Sequence, residues 1–178
     1  MVLSGERVVL RPIEPADVPR LWVLVEDHEV AVLSSAGPVV PTSLAEYAAR
    51  FNEQTREPHP DWTPFAIEAD GVLIGLCDLH HIHQFTRTCE LGIGLGREYW
   101  GKGFGQDAVI TLLDYAFGHL NMNRVGLFVL ADDPRAVGAY RKAGFVEEGT
   151  LRQHAWVRGE YHDELVMSVL QEDWAPRA

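Results

Sequence analysis

Apolar positions along the chain change period several times, and each change marks an element. A short β-branched run, Val8 to Leu10, breaks at Pro12 and Pro15. Leu21, Leu24 and Val25 then fall on one helical face, so the stretch around "ADVPRLWVLVED" reads as a helix capped by Asp17, with Pro19 in its first turn. "PTSLAEYAARFNEQ" predicts a second helix, with Ser43 as N-cap and Glu46 at capping-box spacing, and "EPHPDWTP" breaks it. From Phe65 the period becomes two. "FAIEADGVLIGLCDLH" contains two strands joined at Asp70-Gly71, a dipeptide suited to the positive φ of a tight hairpin. "TCELGIGL", Thr88 to Leu95, is a third strand. Gly103 to His119 predicts a helix, because Phe104, Ala108, Leu112 and Ala116 recur every fourth residue. "NRVGLFVL" is again a strand. Asp133-Pro134 opens a further helix, as N-cap and first helical residue, that stops at Gly144. The remainder, to Leu170, is two or three strands with a hairpin turn at Arg158-Gly159-Glu160.

Strands and helices intermixed in this order define an α/β (α+β) fold, one domain over residues 1–178, with no internal repeat. At 47% hydrophobic, 178 residues supply a substantial core. Lys and Arg number 15 against 26 Asp and Glu, a formal charge of -11, which excludes a nucleic-acid binder that works by neutralising phosphates. That charge suits ordinary solubility, and it also suits steering of a cationic substrate. Cys77 and Cys89 lack metal or disulfide-framework spacing, so reduced thiols in a cytoplasmic setting are expected. No stretch is long and apolar enough for a membrane span, and the first residues lack a signal-peptide pattern.

One stretch asks for more than packing. "EYWGKGFGQDA" places Gly101, Gly103 and Gly105 between a strand and a helix. Helix N-terminal amides lack intrahelical partners and carry partial positive charge, so glycines that let the backbone approach closely make this a candidate pyrophosphate cradle. A Walker loop needs GxxxxGK[ST], which does not follow Lys102, and a dinucleotide fingerprint needs glycine where Gln106 stands. A tight turn without chemistry is the alternative. Gly92 and Gly94, inside the preceding strand, mark a bulge or the close approach of a ligand.

"LGIGLGREYWGKGFGQDA" followed by "NRVGLFVLADDPRAVGAYRKAGFVEEG" resembles the GNAT acetyltransferase superfamily. Its acetyl-CoA motif, Q/R-x-x-G-x-G/A, corresponds to Trp100-Gly101-Lys102-Gly103-Phe104-Gly105, and its later Y-x-x-x-G-F to Tyr140 through Phe145. The likeness spans nearly the whole chain, and "GTLRQHAWVRGEYHDELVMSVL" resembles the branch that acetylates ribosomal-protein N-termini or spermidine. It implies a mostly antiparallel mixed sheet flanked by helices, with a splayed central strand pair, and acetyl-CoA as co-substrate. It also implies that the main chain of Ile93, Gly94 and Leu95 holds pantetheine and polarises the thioester, and that residues 100–106, Gln106 included, hold pyrophosphate. Trp100 departs from the usual Gln or Arg, which shifts binding onto backbone amides. Asp133 stands where many members carry Asn, and an ionised Asp only accepts hydrogen bonds.

The resemblance assigns Tyr140 as the acid that protonates the leaving thiolate, its phenol near pKa 10 against about 8.5 for a thiol. A core aromatic is the alternative. Glu90, a carboxylate in the apolar run "CELGIGL", is the candidate base if burial raises its pKa, or else an exposed or substrate-binding carboxylate. His80, His81 and His83 cluster, but strand alternation puts His81 and His83 on one face and His80 on the other, so no metal site is expected and a role at the acceptor pocket stays open. Asp78 of the same strand is a candidate for binding a cationic acceptor. The acceptor is a small cationic amine, such as spermidine or an aminoglycoside, or a protein N-terminus. No nucleic acid or membrane partner is expected, and a homodimer is open. A noncatalytic acyl-CoA sensor on the same fold is the alternative.

Overall fold

The computed structural model describes residues 1–34, 39–57 and 59–174. Its strands are β1 (Leu3–Ser4), β2 (Val9–Arg11), β3 (Trp62–Ala69), β4 (Val72–His83), β5 (Thr88–Leu95), β6 (Arg124–Leu130), β7 (Val146–Val157) and β8 (Glu160–Leu170). The helices are α1 (Val18–Glu26), α2 (His28–Ser34), α3 (Leu44–Gln54), α4 (Phe104–Gly118) and α5 (Pro134–Lys142). The strands form one sheet in the order β1-β2-β3-β4-β5-β6-β8-β7. Neighbours are antiparallel except β5 and β6, which run parallel.

Local chemistry explains most boundaries. Ser43 accepts from the Glu46 amide while the Glu46 carboxylate accepts from the Ser43 amide, the expected capping box of α3. Asp70 (φ 50°) and Gly71 (φ 75°) make the turn between β3 and β4, and Arg158 (φ 53°) and Gly159 (φ 86°) the turn between β7 and β8. Pro58, within the break after α3, lies outside the described residues.

Three features differ from the sequence expectation. β1, two residues long, is too short to carry a period. α2 continues the apolar pattern of α1 but is a separate helix: Asp27 turns extended (ψ 113°), and its Oδ1 accepts from the amides of Glu29 at 3.0 Å and Val30 at 3.3 Å. Asp17 does not cap α1 through its side chain. Its carboxylate accepts from Arg11 at 2.7 and 2.9 Å and from the Glu14 amide at 2.8 Å, and the guanidinium holds its pKa below the ordinary value.

The main core lies between α4 and one face of the sheet. Ala108, Leu112, Leu113 and Ala116 are fully buried against Cys77, Leu79, Leu91, Val125 and Met167. Leu21, Ala66 and Leu73 form a smaller cluster with Tyr47 and Leu76, so α1 and α3 cover part of the opposite face. Leu76 belongs to that face, and alternation along the strand adds Asp78 and His80 to it. Both cysteines are free and buried, and burial raises both thiols, Cys89 to about 12.

The edge hairpin carries a pH-dependent staple. Arg124 on β6 holds both carboxylate oxygens of Glu148 on β7, and the Ser168 hydroxyl on β8 donates to Glu148 at 2.7 Å. Arg124 first, then Ser168, lowers the Glu148 pKa to about 2. A carboxyl depressed in the folded state contributes stability above its unfolded pKa and loses it as pH falls through the folded value. Between the ordinary glutamate pKa and about 2, the wild type is therefore expected to lose unfolding free energy more steeply than Glu148→Gln in urea titrations. At neutral pH the pair, being exposed, is worth no more than about 1 kcal/mol. Parallel pH slopes for the two proteins would refute the assignment.

Candidate active site

The site begins where two strands part. β5 and β6 pair only at Thr88 with Arg124, Cys89 with Val125 and Glu90 with Gly126. Beyond Glu90, β5 stays with β4 and β6 with β8, leaving a wedge between them. The Gly96 amide donates to the Ile74 carbonyl at 3.0 Å, which sets the hydrogen-bond phase: Gly92 and Gly94 turn their backbone groups to β4, while Leu91, Ile93 and Leu95 turn theirs into the wedge. Of the three expected amides, those of Ile93 and Leu95 therefore face the gap and that of Gly94 does not. The close approach of the two strands here requires glycine at position 75 of β4, since a Cβ on Gly75 would lie 2.2 Å from the Gly94 carbonyl oxygen.

A cavity of 470 Å³ fills the wedge, walled by Ile93, Gly94 and Leu95, by Phe128 to Leu130, by Trp100 and Gly105 at the glycine loop, and by Asp133 and Tyr140 on the α5 side. Gly101 (φ 70°) and Gly103 (φ 85°) hold left-handed conformations that let the loop turn into α4. The first intrahelical bond runs from Asp107 N–H to Gly103 C=O at 3.1 Å, so the amides of Phe104, Gly105 and Gln106 precede it and form the anion-ready end of the helix. Lys102 is exposed beside the Tyr99 ring.

Trp100 does more than replace a donor. Its indole N–H donates to the Leu95 carbonyl at 2.8 Å, tying the loop to the end of β5, and the Arg135 guanidinium lies 4.2 Å from the centre of its ring. Arg7 rests over Phe104 at 5.3 Å, and a Cβ on Gly103 would approach it to 3.1 Å. Arg7 and Arg135 are two cations at the loop that sequence reasoning did not find, because no local signal links either to the glycines. Asp133 accepts from the Ala136 amide and from Arg135, both at 3.0 Å, so N-capping and ion pairing occupy its carboxylate. Tyr140 stands edge-on to Phe145, and burial first, then the charge of Asp133, raises its phenol to about 12.

On the other side of β5 lies a second cavity of 590 Å³, between the sheet and α1 and α3. It shares Val30, Ile93, Gly94 and Leu95 with the first, so the two meet across the backbone of one strand segment. Glu26, Asp78 and His80 add acidic and imidazole groups to its wall. Above the junction, Glu29 of α2 pairs with Arg97, just before the glycine loop, and with Arg158 of the β7–β8 turn at 3.1 Å.

The histidine expectation needs correction. The register between β4 and β5 slips between His80 and His83, and His81 takes φ 49°, so strand alternation fails there. His80 and His81 both reach Glu90, at 3.5 and 3.2 Å, while His83 turns to Thr86. Asp78 accepts from His80 Nδ1 at 2.6 Å and is the main cause that raises the His80 pKa, with Glu90 adding to it. Glu90 is accordingly not a carboxylate sealed in an apolar strand. It sits half-buried on the face opposite the core, engaged by two imidazoles. A carboxylate also completes the donor set that alternation seemed to exclude, and the ligating atoms of His80, His81 and Glu90 lie within 4.8 Å of one another.

A backbone wedge, an anion-ready helix start and two cavities joined at one strand describe an acyl-CoA transferase of the GNAT architecture. Residues 7–146 match the acetyltransferase (GNAT) domain, and the chain belongs to that family. It is 31% identical over 177 residues to a putative ribosomal N-acetyltransferase, YdaF, of Bacillus subtilis (strain 168), covering 96% of this chain and 94% of that protein. It is 28% identical over 171 residues to the spermidine N(1)-acetyltransferase of Escherichia coli (strain K12), covering 96% and 90%. The crystal structure of the Vibrio cholerae spermidine N-acetyltransferase in complex with CoA and spermine superposes with a TM-score of 0.86 at 29% identity, over 95% of this chain and 98% of that one. The chain is an N-acetyltransferase with acetyl-CoA as co-substrate, acting on an amine. Among the described residues no helix is long and apolar enough to cross a membrane.

Proposed function

We propose that this enzyme acetylates a primary amine of a small polycation of the polyamine class. The observation that carries the reading is the meeting of the two cavities at Ile93–Leu95, with carboxylates on the side away from the wedge. Acetyl-CoA enters between β5 and β6 with its pyrophosphate at the amides of Phe104, Gly105 and Gln106, beside Arg7 and Arg135. The Ile93 and Leu95 amides hold pantetheine and polarise the thioester carbonyl. The acceptor lies in the second cavity, where Glu26 and Asp78 draw its remaining ammonium groups.

Chemistry follows from that placement. The acceptor ammonium passes a proton toward Glu90, directly or through water, and the freed lone pair attacks the carbonyl carbon. The tetrahedral intermediate collapses with cleavage of the C–S bond, and the Tyr140 phenol supplies the proton that the thiolate takes up. A lysine-like amine near pKa 10.4 is almost wholly protonated at neutral pH, so it needs this acidic face more than an α-amine near 7.7 to 8.0 does. Glu90→Gln is therefore expected to lower kcat/KM for a polyamine by roughly 100-fold, and for a peptide α-amine by much less. Equal losses for both would remove Glu90 from proton transfer.

The deciding experiment measures release of the CoA thiol, corrected for hydrolysis, with spermidine, an aminoglycoside and short peptides. Spermidine-dependent release well above the peptides is expected, matching the activity named for the Escherichia coli relative. Release with peptides alone would move the acceptor to a protein N-terminus, as the Bacillus subtilis relative's name suggests.

A further inference from the structure

We propose that His80, His81 and Glu90 bind one divalent transition-metal ion of the zinc class at the rim of the acceptor cavity. The geometry comes first. An ion about 2.1 Å from each ligand atom in a tetrahedral shell separates those atoms by about 3.4 Å. His81 Nδ1 lies 3.2 Å and His80 Nε2 3.5 Å from Glu90 Oε2, so both edges already have the length that a shared ion requires. All three ligating atoms fall within 4.8 Å of one another.

A supporting shell is present as well. Asp78 Oδ1 accepts the Nδ1 proton of His80 at 2.6 Å, which orients the ring with Nε2 toward Glu90, so an ion need displace only the Nε2 proton. A carboxylate that orients an imidazole in this way is the usual outer partner of a zinc-bound histidine. The backbone is bent for the same arrangement: His81 sits in the left-handed region at the slipped register, and without that bulge its ring would face away from His80. Two imidazoles and one carboxylate suit zinc, cobalt or nickel, whereas calcium and magnesium demand oxygen ligands throughout. Three protein ligands leave a fourth position open to solvent.

Asp78 and His80 line the acceptor cavity, so an ion held here adds positive charge where the amine must bind and engages the Glu90 carboxylate. Inhibition competitive with the amine follows, and that consequence rests on the acceptor assignment above. Binding of the ion does not.

The test uses chelator-treated protein without an affinity tag. Titration with Co2+ is expected to give visible ligand-field bands that saturate at one equivalent, and calorimetry with Zn2+ the same stoichiometry. His81→Ala is expected to weaken both by at least about tenfold, as is Asp78→Ala through loss of the orienting carboxylate. His83→Ala, whose ring faces Thr86, leaves binding unchanged. Absence of bands and heat in the wild type, or undiminished affinity in His81→Ala, overturns the site. Steady-state kinetics with Zn2+ then separates the two readings. A raised KM for amine in the wild type, relieved in His81→Ala, supports both. Binding that His81→Ala abolishes without any effect on amine KM keeps the ion site and counts against the acceptor assignment.

Discussion

Tyr140→Phe is expected to lower kcat by roughly 100-fold or more while leaving acetyl-CoA affinity little changed, since a positioned acid contributes about that much to the rate. The substitution removes one oxygen and keeps the ring that packs edge-on against Phe145. Burial and the neighbouring Asp133 carboxylate hold the phenol near 12, so it carries its proton throughout the neutral range. Single-turnover release of CoA thiol isolates the chemical step from product release. A variant with wild-type single-turnover rate would assign Tyr140 to the packing of α5, and a variant that lost acetyl-CoA binding would assign it to the cavity wall.

The largest effect on stability is expected at Asp107, in the first turn of α4. Asp107 is 4% exposed. Its carboxylate accepts from three successive amides of the N-terminal segment: Glu6 at 3.2 Å, Arg7 at 2.8 Å and Val8 at 3.0 Å. Negative charge in the first turn also complements the helix dipole. Asp107→Ala strands these donors, at least one of them fully buried, and a loss on the order of 3 kcal/mol is expected. For a chain of this size that is a fall in Tm of roughly 10 °C. Gly5 bears on the same clasp, because a Cβ there would lie 2.4 Å from Asp107 Oδ2 and 2.6 Å from Thr111 Oγ1. Gly5→Ala is therefore expected to shift Tm in the same direction. The clasp also holds Arg7 beside the glycine loop, so weaker acetyl-CoA binding should accompany the loss. A Tm of Asp107→Ala within about 2 °C of wild type would show that the three amides find water instead.

Much of this architecture was legible in the chain because its causes are local. The period of α4, the Ser43–Glu46 box, the Asp70-Gly71 and Arg158-Gly159 turns and the Asp133 cap each depend on residues within one turn or one hairpin. So does the glycine loop, whose conformations at 101 and 103 only glycine adopts readily. What failed were inferences from local regularity where a partner outside the local pattern intervened. Asp17 looked like a cap and became the partner of Arg11 on β2. His80 and His81 looked opposed and became neighbours, because one slip of register against β5 cancels strand alternation.

The sequence alone determined most of the elements, their order and the glycine loop, since backbone preference and the spacing of apolar side chains act over a few residues, while Tyr140 as a candidate acid came from the resemblance of its motif to the GNAT family. Only the tertiary structure decided which amides of β5 face the wedge, that Arg7 and Arg135 stand at the loop, and that Glu90 meets two imidazoles. Those facts follow from strand phase, a bulge and the docking of distant segments. Pairing energies between residues far apart in the chain set them, and no periodicity along it records such energies.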